Sequence, residues 1–142
     1  MLGQNLQIGL TPVIIADQIE WVDAGAQEAE RKALAAALEV WRGDWESLDT
    51  ARYLKHYAAQ FESGGQSLAE WSGHKQKVNA GKSWIKVGLS QVSMFRYPGE
   101  HDFVVVTFLQ DYRSSNLSNA MQKRQYWIKD GARWKILHEG AA

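Results

Sequence analysis

Apolar side chains recur with helical spacing between residues 28 and 48. Leu34, Leu38, Trp41 and Trp45 follow one another at intervals of four, three and four residues. This spacing places all four on one stripe of a helix with 3.6 residues per turn. The alanines that surround Leu34 favour a helix as well. The pattern therefore predicts a first helix over residues 28–48, with these four side chains on its inner face.

Two further helices are predicted from residues that can cap them. Asp49 can cap a short helix over residues 50–59. A pair of glycines then interrupts the helical pattern, because glycine is unfavourable inside a helix. Ser67 and Glu70 have the spacing of a capping box, which predicts a third helix over residues 67–79.

Beyond residue 82 the apolar period changes from 3.6 to two, which indicates strands. Four strands are predicted, over residues 84–96, 102–113, 120–129 and 133–139. A Tyr-Pro-Gly-Glu turn separates the first two strands, and an Asp-Gly pair typical of tight hairpins separates the last two. Three helices followed by a meander of antiparallel strands predict an α+β domain.

We expect one domain over residues 26–140, preceded by a linker or boundary segment over residues 1–25. The length of 142 residues is typical of a single domain. The first 16 residues lack a basic region and contain Pro12, so they do not resemble a signal peptide. The expected location is the periplasm or cell envelope if the chain is part of a longer secreted protein, and the cytoplasm if it is complete.

Composition excludes several classes of function. Sixteen Lys and Arg balance sixteen Asp and Glu, so the chain lacks the basic footprint of a nucleic-acid-binding protein. It has no cysteine, which excludes disulfides and thiolate chemistry. No apolar stretch is long enough to span a membrane. The four histidines lack the spacing of metal ligands, so we predict no metal and no cofactor.

The register of the last hairpin decides which side chains share a face of the sheet. A two-residue turn at residues 130–131 places Gln125 opposite Ile136 and Lys123 opposite His138. That face is apolar near the turn and polar further from it. The pattern fits a half-closed cone with polar groups in its cavity, and it fits equally a sheet edge where those groups reach solvent.

The order and spacing of several motifs carry a resemblance to a known family. They are Trp41-Arg-Gly-Asp-Trp45, Asp49…Tyr53…Tyr57…Phe61, Trp71, Phe108-Leu-Gln110-Asp-Tyr112-Arg-Ser114, Lys123 and Gly131-Ala-Arg-Trp134-Lys-Ile136…Glu139. This set resembles the nuclear-transport-factor-2-like (NTF2-like) superfamily, and more narrowly the C-terminal ancillary domain of L,D-transpeptidase-like, cell-shape proteins of the cell wall.

The resemblance implies a cone in which three helices pack on a strongly curved antiparallel sheet and enclose a pocket. It also implies the bacterial cell envelope, where a neighbouring domain trims peptidoglycan. The catalytic, cysteine-containing domain of such proteins does not lie in this chain, so their peptidase activity is not implied for it. The resemblance points to Glu139 as a partner of Lys123, although simple alternation places the two on opposite faces unless a bulge intervenes.

We predict a ligand pocket from the parity of the strands and the amphipathic faces of the helices. Its residues are aromatic or polar and would point between helices and sheet: Trp41, Trp45, Tyr57, Trp71, Phe108, Gln110, Tyr112, Lys123, Gln125, Trp127, His138 and Glu139. Aromatic faces with a few fixed polar groups suit amide, sugar and carboxylate ligands. We therefore expect a binding or accessory domain that takes a small polar molecule or a peptidoglycan fragment.

Two alternatives remain open from the sequence. One is a small-molecule isomerase or dehydratase, for which no clear acid–base pair emerges among the candidates Tyr53, Glu62, His74, Asp111, Tyr112 and His138. The other is a homodimer through the outer face of the sheet. The apolar stripe predicted there comprises Phe103, Val105, Leu109, Tyr126, Ile128 and Leu137.

Overall fold

The computed structural model describes residues 10–15, 18–96 and 103–142, and it describes side chains from residue 28 onward. The helices are α1 (Ala24–Glu46), α2 (Thr50–Leu54) and α3 (Leu68–Ala80). The strands are β1 (Leu10–Ile15), β2 (Gln18–Asp23), β3 (Glu62–Ser63), β4 (Gln66–Ser67), β5 (Ile85–Arg96), β6 (Phe103–Ser114), β7 (Ser118–Asp130) and β8 (Arg133–Ala141). The predicted turn over residues 97–100 lies outside the described residues.

Six of the strands form one sheet in the order β2-β1-β5-β6-β7-β8, and β3 pairs with β4 in a separate short hairpin. Helices on a largely antiparallel sheet confirm the predicted α+β class. The pairing of β1 with β5 is parallel, which the sequence did not predict. β1 and β2 also lie in the segment that we expected to be a linker. Proline is unfavourable inside a strand and Pro12 lies in β1, although the adjacent Ile14 and Ile15 favour a strand.

Two irregularities in strand pairing bend this sheet. The register of β5 against β6 shifts between Ser90 and Ser93, and Gln91 adopts a φ of 53° within that bulge. The register of β7 against β8 shifts between Tyr126 and Trp127. Because a bulge bends its strand and increases the local twist, these two positions account for curvature of the sheet towards the helices.

The core lies between α1 and the inner face of β6, β7 and β8. All four members of the predicted α1 stripe are at most 5% exposed, which confirms its orientation. The predicted inner face of β6 is confirmed too, since its alternate residues are buried: Val104, Val106, Phe108, Gln110 and Tyr112. Trp41 lies at the centre, with ring centroids 5.4 Å from Trp45 and 6.0 Å from Phe108.

The capping residues read from the sequence cap α2 and α3 in the structure. The Asp49 side chain accepts a hydrogen bond from the backbone N–H of Arg52 at 3.2 Å. Ser67 and Glu70 form both halves of a capping box at the start of α3. These contacts satisfy N–H groups that the first turn of a helix leaves without partners.

Helix α2 ends at Leu54, five residues earlier than predicted. Beyond it the chain runs beside β8, where the N–H of Ile136 donates to the His56 carbonyl at 2.7 Å and the N–H of Ala58 donates to the Ile136 carbonyl at 2.8 Å. Pairing with the sheet edge replaces the last helical turn, and it places Tyr57 inside the molecule at 4% exposure.

The apolar stripe on the outer face of the sheet is largely covered in the monomer. Val105 is buried, and the other five members, Phe103, Leu109, Tyr126, Ile128 and Leu137, are half-buried. Homodimerisation through this face stays a prediction.

Candidate functional site

The tight turn of the last hairpin lies one residue later than predicted. Asp130 pairs with Arg133, so the two-residue turn is Gly131-Ala132, with Gly131 at a φ of 62°. Trp127 therefore pairs with Ile136 and not with Trp134. The predicted register was wrong by two residues, because Asp130 extends the strand where we placed it in the turn. A shift of two residues preserves which face each side chain of β7 occupies.

A bulge in β8 brings Glu139 to the inner face. Trp127 pairs with Ile136 but Tyr126 pairs with His138, so Leu137 is the extra residue of the bulge. Gln125 then pairs with Glu139, which is 1% exposed. The sequence analysis required such a bulge for Glu139 to meet Lys123, and the structure confirms it.

The same bulge turns His138 outward, so the predicted place of His138 in the pocket is wrong. The residue is exposed and pairs with Tyr126, whose ring centroid lies 5.5 Å from the imidazole. Its Nδ1 atom lies 2.7 Å from the carbonyl oxygen of Glu62, in β3. His138 therefore holds the short hairpin against β8.

Glu139 is the centre of a buried polar network. The Tyr57 hydroxyl donates to Oε1 at 2.7 Å, the Gln125 amide donates to Oε1 at 3.2 Å, and the Lys123 ammonium donates to Oε2 at 3.1 Å. Lys123 is itself only 6% exposed. A buried ion pair of this kind is stable only when hydrogen bonds satisfy its remaining atoms, as they do here.

A second layer of donors closes this network. The Trp127 indole donates to Oε1 of Gln125 at 3.0 Å, and the Trp41 indole donates to the Tyr57 hydroxyl at 3.1 Å. The hydroxyl oxygens of Tyr53 and Tyr57 lie 2.8 Å apart. Because Tyr57 gives its single proton to the carboxylate, Tyr53 is the donor of that pair.

The charges in this network shift the pKa values of its members. Burial raises the pKa of Glu139, but the positive charges of Lys123 and Lys75 and the hydrogen bonds outweigh it, so that pKa lies below the usual value of 4.5. Burial, together with the negative charge of Glu139, raises the pKa values of Tyr53 and Tyr57 well above 10.0. Glu139 is therefore a carboxylate and both tyrosines are neutral at physiological pH.

Beside the network the inner face opens into a cavity of about 200 Å³, here called the lysine cavity. Four of the predicted pocket residues line it: Trp45, Gln110, Tyr112 and Lys123. Six further residues that the sequence analysis missed complete the lining: Lys75, Val78, Asn79, Leu117, Asn119 and Met121. The rings of Trp45 and Tyr112 stack at a centroid distance of 5.2 Å and form an aromatic wall.

Two polar groups of the lysine cavity lack partners among the described residues. Oε1 of Gln110 is fully buried and accepts no hydrogen bond. The ammonium of Lys75 forms no ion pair with a described residue and lies over aromatic rings, 4.6 Å from the Trp71 centroid and 5.5 Å from the Trp45 centroid. Burial lowers the pKa of Lys75 to about 8, with a further lowering by Lys123 and an opposing effect of Glu139.

Helical spacing from Trp71 was the signal that could have found the missed residues of α3. Lys75 and Asn79 follow Trp71 at intervals of four residues, so all three lie on one face. The apolar Val78 of the same helix is 36% exposed, while Asn79 is buried. The sequence analysis took only Trp71 from α3 into the predicted pocket and did not include this lysine and asparagine.

The remaining predicted pocket residues lie beside the lysine cavity and not along it. Trp41, Tyr57, Phe108, Gln125 and Trp127 belong to the packed core or the Glu139 network, each at most 4% exposed. Trp71 is half-buried against the ring of Phe61, with the centroids 5.2 Å apart. Most of the predicted pocket residues therefore belong to the packed interior, and only four of them line the lysine cavity.

The other residues considered for catalysis do not gather at one place. Glu62, His74 and Asp111 are exposed, and Asp111 lies 3.3 Å from the guanidinium of Arg113. Within the part of the chain that the structure describes, no group of three His, Asp or Glu side chains could hold a metal ion. None of the described helices is both long enough and apolar enough to cross a membrane.

Fold, curved sheet and inner polar network together define the class of this protein. Residues 33–140 match the family described as the Cds6 C-terminal NTF2-like domain, and the chain belongs to that family. No curated protein matches it. The predicted membership of the NTF2-like superfamily is thereby confirmed.

Solved structures add detail to this assignment. Bd1075 of Bdellovibrio bacteriovorus is 30% identical over 99% of this chain, with a TM-score of 0.76. A mutant of the helical cell shape determining protein Pgp2 of Campylobacter jejuni is 24% identical over 75% of this chain, with a TM-score of 0.70. This chain corresponds to 52% of the first protein and 39% of the second. An NTF2-like protein of unknown function from Pseudomonas putida shares the fold at 16% identity, covering 82% of this chain and 85% of its own, with a TM-score of 0.64.

Proposed function

We propose that this chain is a non-catalytic ligand-binding domain of a bacterial cell-envelope protein, and that the lysine cavity holds the ligand. One observation carries the proposal. The cavity places, beside an aromatic wall, an ammonium with no direct ion pair and a buried amide oxygen with no donor among the described residues. Buried polar groups in proteins are nearly always paired, so the unpaired oxygen of Gln110, beside the half-buried Lys75, marks a place for a ligand.

The chemistry of these groups defines the ligand class. A carboxylate would pair with the ammonium of Lys75, and an N–H or O–H donor would satisfy Oε1 of Gln110. An apolar or sugar face would stack on the rings of Trp45 and Tyr112. A small polar molecule or a peptide with a free carboxylate has all three features, and a peptidoglycan fragment belongs to that class.

The state of Glu139 argues against catalysis by this domain. A general base needs a pKa near the working pH and an open lone pair. Glu139 has a lowered pKa and accepts three hydrogen bonds, and it is 1% exposed. Tyr53 and Tyr57 are poor acids, since burial raises their pKa values. These groups suit a structural network better than proton transfer.

The cell-envelope part of the proposal rests on the comparisons. The family is that of a C-terminal domain, and Pgp2 is by its description a helical cell shape determining protein. A domain that binds a cell-wall fragment could direct a neighbouring peptidoglycan-modifying, L,D-transpeptidase-like domain to its substrate. The location that follows is the periplasm or cell envelope.

A titration with muropeptide fragments tests the ligand class, followed by the fluorescence of the seven tryptophans. We expect saturable binding that weakens at least about tenfold in Lys75→Met, which is the loss of roughly 1.4 kcal/mol. Lys77→Met is the matched control, because Lys77 is an exposed lysine of the same helix. No response at millimolar concentrations, or equal binding by both variants, would contradict the proposal.

A further inference from the structure

A second cavity lies beside a neighbouring stripe of α1 and has no part in the proposed function. It measures about 400 Å³ and is bounded by one stripe of α1, the segment that follows α2, and the turn between β7 and β8. We call it the basic cleft, since Arg52, Lys55, Arg133 and Lys135 line it. Its volume falls in the range of small-molecule sites, roughly 300–1,000 Å³.

The only carboxylate among the residues that line the basic cleft is neutralised internally. Asp44 is 9% exposed, accepts a hydrogen bond from Arg52 at 2.8 Å and lies 2.7 Å from Nε2 of His56. Lys135 is occupied as well, because its ammonium donates to the Lys55 carbonyl at 2.6 Å. The side chains of Lys55 and Arg133 make no hydrogen bond or ion pair with a described residue. The cleft therefore keeps two free cations in a chain whose net charge is zero.

The floor of the basic cleft is apolar. Ala37 and Val40 lie on the stripe of α1 that bounds the cleft. Val40 is 54% exposed, the highest value among the exposed large apolar residues described. The half-buried ring of Trp134 lies across from them, on β8. An apolar floor below free cations favours a ligand that is itself amphipathic.

We propose that the basic cleft binds a small organic anion, made of a carboxylate on a flat apolar body. The carboxylate pairs with the guanidinium of Arg133, whose two parallel N–H groups match its geometry, and with the ammonium of Lys55. The apolar body packs on Trp134 and Val40. Both free cations and the exposed apolar surface then have partners, which neither has among the described residues.

The test uses the whole chain and two probes of the same shape. Indole-3-acetate carries the carboxylate, and indole-3-acetamide is its neutral analogue. Binding is followed by NMR through the indole N–H signal of Trp134, assigned with Trp134→Phe. We expect the acid to bind at least about tenfold more tightly than the amide. Equal binding of the two probes, or no shift at about 10 mM, would overturn the proposal.

Substitutions locate the site and separate it from the lysine cavity. Lys55→Gln combined with Arg133→Gln should weaken binding of indole-3-acetate at least about tenfold. Lys86→Gln removes an exposed lysine of β5 and should change nothing. Lys75→Met should also leave this binding intact, so failure of one site does not decide the other. A loss of binding in Lys75→Met but not in the double variant would place the probe in the lysine cavity and refute the basic cleft.

Discussion

Two neighbouring regions beside the inner face of the sheet differ in whether their polar groups have hydrogen-bond or ion-pair partners. Around Glu139 both carboxylate oxygens have partners, and the carboxylate accepts three hydrogen bonds. In the lysine cavity an amide oxygen and an ammonium have none among the described residues. Lys123 belongs to both regions, with its ammonium 3.1 Å from Glu139 and 5.1 Å from the Trp45 centroid.

The difference separates a structural role from a binding role. A fully paired buried network fixes one arrangement of the core, and breaking it costs folding free energy. Unpaired buried groups reduce stability, so a protein retains them where a ligand supplies the missing partner. The comparison therefore makes opposite predictions for similar substitutions in the two regions.

The largest effect is expected for Lys123→Met. It leaves the Glu139 carboxylate buried without its counter-ion, so the free energy of unfolding should fall by about 3–5 kcal/mol. Lys123 is the ion-pair partner of Glu139, with its ammonium 3.1 Å from Oε2.

Urea denaturation of Lys123→Met measures this loss. Adding Glu139→Gln should recover most of it, because the pair is then neutral on both sides. Lys129→Met changes an exposed lysine of the same strand and should stay within about 0.5 kcal/mol of the parent. A single variant as stable as the parent would show that the ion pair contributes nothing.

Acid should weaken the Glu139 network selectively. The pKa of Glu139 in the folded chain lies below the unfolded value near 4.5. Its contribution to stability is therefore fully present above pH 4.5 and is lost as the pH falls through the folded value. Urea denaturation between neutral and acidic pH should show a steeper loss for the parent than for the variant with both Lys123→Met and Glu139→Gln. Parallel curves would contradict this assignment.

Two glutamines allow the same substitution in each region. Gln125→Met removes a donor to Glu139 and an acceptor for the Trp127 indole, so it should lower stability by about 1–3 kcal/mol. Gln110→Met removes an oxygen that has no partner among the described residues, and the stability of this variant should equal or exceed that of the parent. Thermal unfolding of both variants measures the contrast. Equal destabilisation by the two would mean that Gln110 is as well satisfied as Gln125.

A small effect, opposite in sign to that of Lys123→Met, is expected for Lys75→Met. Burial lowers the pKa of Lys75 to about 8 from 10.5, so the folded state disfavours the charged form. The variant should be more stable than the parent at neutral pH by about 1 kcal/mol. The parent should close that difference as the pH rises from about 8 towards 10.5, where its lysine is neutral in both states.

Thermal unfolding at neutral and alkaline pH checks this sign, with Lys77→Met as the exposed control. Binding of a carboxylate ligand should decline over the same pH range, as Lys75 loses its charge. If the difference in stability between the variant and the parent does not change with pH, the titration of Lys75 does not cause it.

Periodicity was sufficient for the helical part of the fold and for the orientation of its core. The intervals of four, three and four residues from Leu34 to Trp45 can be met only by one face of a helix, and all four side chains are buried. Alternation in β6 and β7 likewise placed Gln110, Lys123 and Gln125 inward, and all three are buried. Polar residues follow their apolar neighbours inward because a strand offers only two faces.

Three features of the site were decided by tertiary contacts. The Leu137 bulge brings Glu139 to the inner face and turns His138 outward, and a single inserted residue leaves no trace in a pattern of period two. Tyr57 reaches Glu139 because the segment after α2 pairs with Ile136 in preference to a further helical turn. Such pairing depends on a strand about 80 residues away, which local propensity does not contain.

The sequence by itself therefore determined the class of fold, the inward faces of α1, β6 and β7, and the family. The inward faces follow from spacing within one segment, which sterics translate directly into a face, whereas the fold class follows from the order of the elements and the family from the resemblance of several motifs along the chain. The tertiary structure alone decided which polar side chains meet, which of them are satisfied, and where space remains. Those outcomes depend on register shifts and on close packing between distant segments, where displacement by one residue exchanges a buried carboxylate for an exposed histidine.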